Sequence, residues 1–152
     1  MEQGADSVRE SAITPYLIVK DAEAAIAFYA AAFGAEEQYR LVDPDSGKIG
    51  HADLKIGTGG IMLADEHPDF GALSPVTIGG TPVLLHISVA DADAVVAGAE
   101  RAGAIVLRPV KEQMYGQRSG MIADPFGHHW VIGTHVADVS PEEMQARYAE
   151  ME

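Results

Sequence analysis

Val19-Lys20-Asp21-Ala22-Glu23-Ala24 returns as Val89-Ala90-Asp91-Ala92-Asp93-Ala94. In each copy an apolar strand runs into an acidic residue suited to cap a helix, and the helix stops at a glycine. The stops, Gly34-Ala35 and Gly103-Ala104, align after one deletion. The offset from Val19 to Val89 is 70 residues. That is too long for a solenoid repeat and fits two half-domains. A duplicated half sets pseudo-equivalent residues across a shared cleft, so function is sought there.

The 152 residues suffice for one domain with a proper core. Hydrophobic residues make up 47% and charged residues 22%, the balance of a globular chain. No apolar run approaches the length of a membrane span, and Met1-Glu2-Gln3-Gly4 lacks the basic start and apolar core of an export signal. Without cysteine, disulfide and thiolate chemistry are excluded. These features suit a cytoplasmic protein that engages neither membrane nor nucleic acid. The formal net charge of −13 points the same way, because it repels phosphate and attracts cations.

Residues 1–10 read as a polar arm. Ile13 to Val19 reads as a strand, with Pro15 at an irregular start. Asp21 caps a helix over 22–33 whose inner face carries Ile26, Tyr29, Ala30 and Phe33. Strands follow over 36–42, 49–56 and 61–65, separated by Asp43-Pro44-Asp45-Ser46-Gly47 and Gly57-Thr58-Gly59-Gly60. The first module, about 12–66, is thus β-α-β-β-β. A Pro- and Gly-bearing linker covers 67–81. The second module, about 82–137, repeats the order: strand 82–89, helix from Asp91 to 102, strands 104–109, 120–124 and 129–135. Ser140-Pro141-Glu142-Glu143 is a capping box that starts a C-terminal helix to about 149.

With this order in place, the chain resembles the vicinal-oxygen-chelate superfamily of glyoxalase I, bleomycin-resistance proteins and extradiol dioxygenases. The likeness covers roughly 12–137. It rests on the paired modules, on Ala24-Ala25-Ile26-Ala27-Phe28-Tyr29 followed by Phe33-Gly34-Ala35, and on Asp124-Pro125-Phe126-Gly127-His128 before Trp130. Met114 to Gly120 and His51-Ala52-Asp53-Leu54 resemble the PhnB-like branch in particular. The resemblance implies an α+β fold in which two β-α-β-β-β modules form curved mixed sheets around a cleft. It also implies a homodimer, with modules open to exchange between chains.

Enzymes of this superfamily hold one divalent metal on ligands from the first and last strands of each module. Those places fall on Thr14, Met62, Leu84 and Val131, none of them a ligand of the usual kind. The expectation is therefore no cofactor. The alternative is one relocated divalent ion at His51, His86 and His129, serving a lyase or isomerase. Against it, each histidine reads more readily as a hydrogen-bonded pocket or surface residue. Strand alternation puts His86 and Ser88 on the face of Leu84, His129 on the face of Val131, and Tyr16 and Ile18 on the face of Thr14.

Other residues carry two readings each. Tyr115 is either a stacking platform at the cleft mouth or a loop residue packed on its own sheet. Arg118, taken here as part of the loop, either orients an anionic group or pairs with a surface acid. Asp53 is a cleft carboxylate or a partner for Lys55. Trp130 belongs to the core, and His67 and His128 receive no role. The expected function is metal-free binding of a small, cationic molecule, a drug or secondary metabolite, in a cleft lined by Tyr16, Met62, Leu84, His86, Tyr115 and His129.

Overall fold

A computed structural model describes residues 11–151, so the expected polar arm over 1–10 lies outside the described residues. The chain divides into two compact units after Thr81. Each holds a four-stranded mixed sheet packed against a helix. Among the described residues no helix is long and apolar enough to cross a membrane.

The first unit contains β1 (Tyr16–Val19), α1 (Ala22–Phe33), β2 (Glu36–Val42), β3 (Ile49–Ile56) and β4 (Gly59–Asp65). Their spatial order is β1-β4-β3-β2, with β1 parallel to β4. Helix α1 begins where the Asp21 carboxylate accepts the Ala24 amide and ends at Gly34, which adopts φ 71°. Only a residue without a Cβ takes that left-handed geometry freely. The helix buries Ala25, Ile26, Phe28, Tyr29 and Ala32 over Leu17, Val19, Leu54, Ile61 and Leu63. The expected inner face was partly misplaced. Ala30 is exposed, and Phe28 and Ala32 take up the burial. Because side chains alternate along a strand, Tyr16 and Ile18 project from the other, open face of the sheet.

The stretch expected as a linker over 67–81 belongs to the first unit. It contains a 3-10 turn at Pro68–Phe70 and a short helix α2 (Pro75–Ile78) capped by Ser74. These pieces have no apolar period long enough to be seen in sequence.

The second unit contains β5 (Leu84–Ser88), α3 (Ala92–Arg101), β6 (Ile105–Glu112), β7 (Gln117–Ala123), β8 (His129–His135) and α4 (Pro141–Glu150). The order β5-β8-β7-β6 repeats the first sheet, with β5 parallel to β8. Several boundaries differ from expectation. Strand β4 starts at Gly59, because Ile56 pairs with Gly59 and leaves only Gly57-Thr58 as the turn. Strand β6 runs through Pro109 to Glu112. It is an edge strand whose register shifts between Arg108 and Lys111, the setting in which proline is tolerated. Strand β7 starts at Gln117, so Arg118 and Ser119 lie in a strand and not in the loop.

Trp130 is buried as expected, and its indole N–H donates to Asp124 Oδ2 at 2.9 Å. Asp124 Oδ1 also accepts the amides of Phe126 and His128 at 2.9 and 3.0 Å. One buried carboxylate thus closes the Asp124–Gly127 turn and fixes the core tryptophan. Asp124→Ala strands two buried donors and one half-buried donor and should cost about 3 kcal/mol of stability. Urea denaturation would show this as a lowered midpoint with unchanged slope. Asp124→Asn should fall between, since it keeps one acceptor.

Candidate functional site

Four strands of the first sheet bring their open faces into one row. Tyr16 is the register partner of Met62, Met62 of Asp53, and Asp53 of Tyr39. Asp53 is only 6% exposed within this row, while Lys55 stands exposed on the same strand. His51, two residues from Asp53 and on the same face, lies between two tyrosines. Its Nδ1 meets the Tyr16 hydroxyl at 2.7 Å. Its ring centroid is 5.3 Å from that of Tyr16 and 5.6 Å from that of Tyr39. Burial raises the Tyr16 phenol above the ordinary range, and the neighbouring Tyr39 adds to the rise.

Beside this row lies a cavity of about 870 Å³, wholly within the first unit. Tyr16, Ile18, Ile49 and Ala64 contribute its apolar lining, and the segment from Glu66 to Ala72 closes one side. His67 and Phe70 stack there with centroids 4.3 Å apart. Glu66 accepts the Ser74 amide at 2.9 Å and the Thr77 hydroxyl at 2.8 Å, and faces Lys20 at 3.8 Å. Those donors hold its carboxyl down to about 2. Sequence reasoning missed Tyr39, His67 and Phe70. The alternation of Tyr39 and Leu41 along β2 offered a signal for the first, and nothing in the sequence marked the other two.

The second sheet carries a different set on its own open face. Leu84 is the register partner of His129, and His86 of Val131. His86 Nε2 meets Gln117 Oε1 at 3.0 Å, across the strand position of Gly133. A Cβ on Gly133 would stand 2.5 Å from that Gln117 oxygen and 3.2 Å from His86 Nε2. The glycine is what leaves room for Gln117 to reach the histidine. Neither Gly133 nor Gln117 was given a role from the sequence, because their roles depend on the strand pairing.

Tyr115 stands half exposed in the short connection between β6 and β7. The next residue, Gly116, has φ 84° and lies so close to the Ala137 carbonyl that a Cβ would overlap it. Arg147 of α4 donates to the Met114 carbonyl and pairs with Glu143 at 3.0 Å. The C-terminal helix therefore steadies the Tyr115 connection. Of the two readings for Arg118, the surface pair is observed. Its guanidinium grips both Asp93 oxygens, at 2.7 and 3.1 Å, and holds that carboxyl below its usual range.

The repeat and the geometry agree. Tyr16 pairs with Met62 in one sheet as His86 pairs with Val131 in the other. The model of the Glyoxalase/Bleomycin resistance protein/Dioxygenase superfamily matches residues 11–132. The chain belongs to this family. It is 44% identical over 140 residues to the uncharacterized protein Mb0911c of Mycobacterium bovis, spanning 90% of this chain and 91% of that one. Among solved structures it is similar to TioX from Micromonospora sp. ML1, at 25% identity and TM-score 0.62, covering 86% of this chain and all of that one. A Bacillus cereus protein described as a putative 3-demethylubiquinone-9 3-methyltransferase, PhnB protein, shares the fold at 18% identity and TM-score 0.61, with 82% and 99% covered.

The family metal does not fit the residues present. Thr14, Met62, Leu84 and Val131 supply one hydroxyl, one thioether and two hydrocarbon side chains, where a divalent ion needs several imidazole or carboxylate donors. Of the three histidines considered for a relocated ion, His51 and His86 each have a ring nitrogen bonded to a side chain. Among the described residues no three His, Asp or Glu side chains are grouped to hold a metal. The Tyr16–His51 arrangement is open to a spectroscopic check. In an alkaline difference-absorbance titration, Tyr16→Phe should remove a phenol transition lying above the ordinary range. Tyr39→Phe should shift that transition downward. A Tyr16 that ionises like a free phenol would contradict the geometry.

Proposed function

We propose that this protein binds a small organic molecule without a metal, sequestering a drug or secondary metabolite in the manner of the bleomycin-resistance branch of its family. The observation that supports this reading most directly is the chemistry at the four family ligand positions. Their loss of donors removes the basis for Lewis-acid catalysis and leaves apolar, aromatic and hydrogen-bonding surface, which is what affinity alone requires. Tyr16 and Met62 in the first unit, and Leu84, His86, Tyr115 and His129 in the second, are proposed as ligand-contacting residues. The net charge of −13 favours a cation. Within the family we place the chain nearest the PhnB-like proteins, on the Met114–Gly120 and His51–Leu54 motifs. We further propose that it acts in the cytoplasm as a homodimer.

Two measurements test this. Elemental analysis of dialysed protein should find divalent metal far below one ion per chain, since no donor set of adequate affinity stands at the family positions. Near-stoichiometric zinc, nickel, manganese or iron would favour the lyase or isomerase with His51, His86 and His129 as ligands. Calorimetric titration with a panel of bulky organic cations should find a saturable guest. Tyr115→Ala should weaken the best of them by about 1–3 kcal/mol, the usual loss of an aromatic anchor. An unchanged affinity would remove Tyr115 from the site.

A further inference from the structure

Phe70 is 83% exposed although its surroundings hold it firmly. His67 and Ala72 bridge each other through both backbone hydrogen bonds, at 2.8 and 3.2 Å. Within that closed loop, the Phe70 amide bonds the His67 carbonyl and Gly71 bonds Pro68, each at 2.9 Å. Gly71 supplies the φ of 77° that the turn needs. The His67 ring lies near-parallel to the phenyl at an interplanar angle of 19° and covers one of its faces. The loop is tied further by Glu66 to Ser74 and Thr77. An ordered phenyl ring kept in water forgoes hydrophobic burial. The fold gains nothing from that exposure, whereas a stacking guest would gain a platform already fixed in place.

The phenyl borders the 870 Å³ cavity described above, which is of the size that encloses a drug-sized molecule. Ile18, Ile49 and Ala64 give it an apolar lining. Four carboxylates, Asp43, Asp65, Glu66 and Asp69, line it against one lysine, Lys48. Three of the four are committed to structure. Asp65 accepts the Ala22 and Ile49 amides at 2.8 and 2.7 Å, and Glu66 holds Ser74 and Thr77. Asp43 closes the β2–β3 turn by accepting the Asp45 amide at 2.9 Å, which leaves Asp69, beside Phe70, to meet a guest.

We infer that this cavity is a binding site for a flat aromatic molecule carrying a cationic nitrogen, its ring stacked on Phe70 and its charge set toward Asp69. Aromatic and electrostatic recognition point to the same ligand class, because the face of a phenyl ring attracts cations as carboxylates do. The site shares only Tyr16 with the residues proposed above, so it stands or falls apart from that reading.

Proflavine, a planar tricyclic cation, and acridine, its uncharged parent at mildly alkaline pH, are suitable probes. Amide proton–nitrogen correlation spectra of the full chain should show saturable shifts centred on Asp69, Phe70 and Gly71 with proflavine. Acridine should bind about tenfold more weakly. Phe70→Ala leaves the net charge untouched and should weaken proflavine by about tenfold, whereas general attraction to an acidic chain would not change. Asp69→Asn should weaken it about threefold. Both substitutions are at exposed positions, and melting curves would verify that the variants fold. Absence of saturable binding, or equal affinity for the wild-type chain and Phe70→Ala, would overturn the inference. Weakening by Tyr115→Ala but not by Phe70→Ala would also overturn it and leave the metal-free binding function standing.

Discussion

The side chain at the end of each sheet's last strand holds the start of the helix that packs on that sheet. In the first unit Asp65 accepts the Ala22 amide with one oxygen and the Ile49 amide with the other. In the second, Thr134 Oγ1 accepts the Ala92 amide at 2.8 Å. An unpaired amide at a helix start must find an acceptor, and here the acceptor comes from a strand far away in sequence. That bond sets where the helix lies on the sheet, and so which strand residues it covers. Leu17 and Val19 go under α1, and Tyr16 and Ile18 are left outward. The parallel pairing that follows fixes Tyr16 beside Met62 and His86 beside Val131.

On that shared frame the halves have diverged. The first sheet sets His51 between Tyr16 and Tyr39 over a buried Asp53 and adds an acidic cavity with an ordered phenyl at its edge. The second sets His86 against Gln117 over a glycine and keeps hydrocarbon at Leu84 and Val131. Where the family's metal enzymes hold their ligands, this chain has side chains suited to contact and hydrogen bonding. Of the histidines on these open faces, His51 and His86 are part of side-chain pairs. In the binding function proposed above, recognition would rest on aromatic faces and carboxylates.

The fold was legible from the repeat because helix caps and strand alternation are local. Asp21 and Asp91 accept from Ala24 and Ala94 in the two halves alike. The Ser140 cap and the burial of Trp130 were visible for the same reason. The alternation of β1 and β5 assigned Tyr16 and His86 to the faces opposite their helices. Three things were out of reach. The 67–72 loop is held by its own backbone bonds, which leave no periodic trace. The start of β7 at Gln117 depends on pairing with His135. Gly133 matters only because a neighbouring strand sends Gln117 across it. Each is a fact about non-local approach, and a single sequence records approach poorly.

The central claim is recognition by aromatic and carboxylate groups with no metal in the site. The most direct measurement is the affinity for the tightest-binding organic cation of one protein preparation in three states: as purified, after exhaustive treatment with a chelator, and after addition of zinc to the stripped protein. The account predicts the same saturable affinity in all three. Binding that vanishes with the chelator and returns with zinc would contradict it.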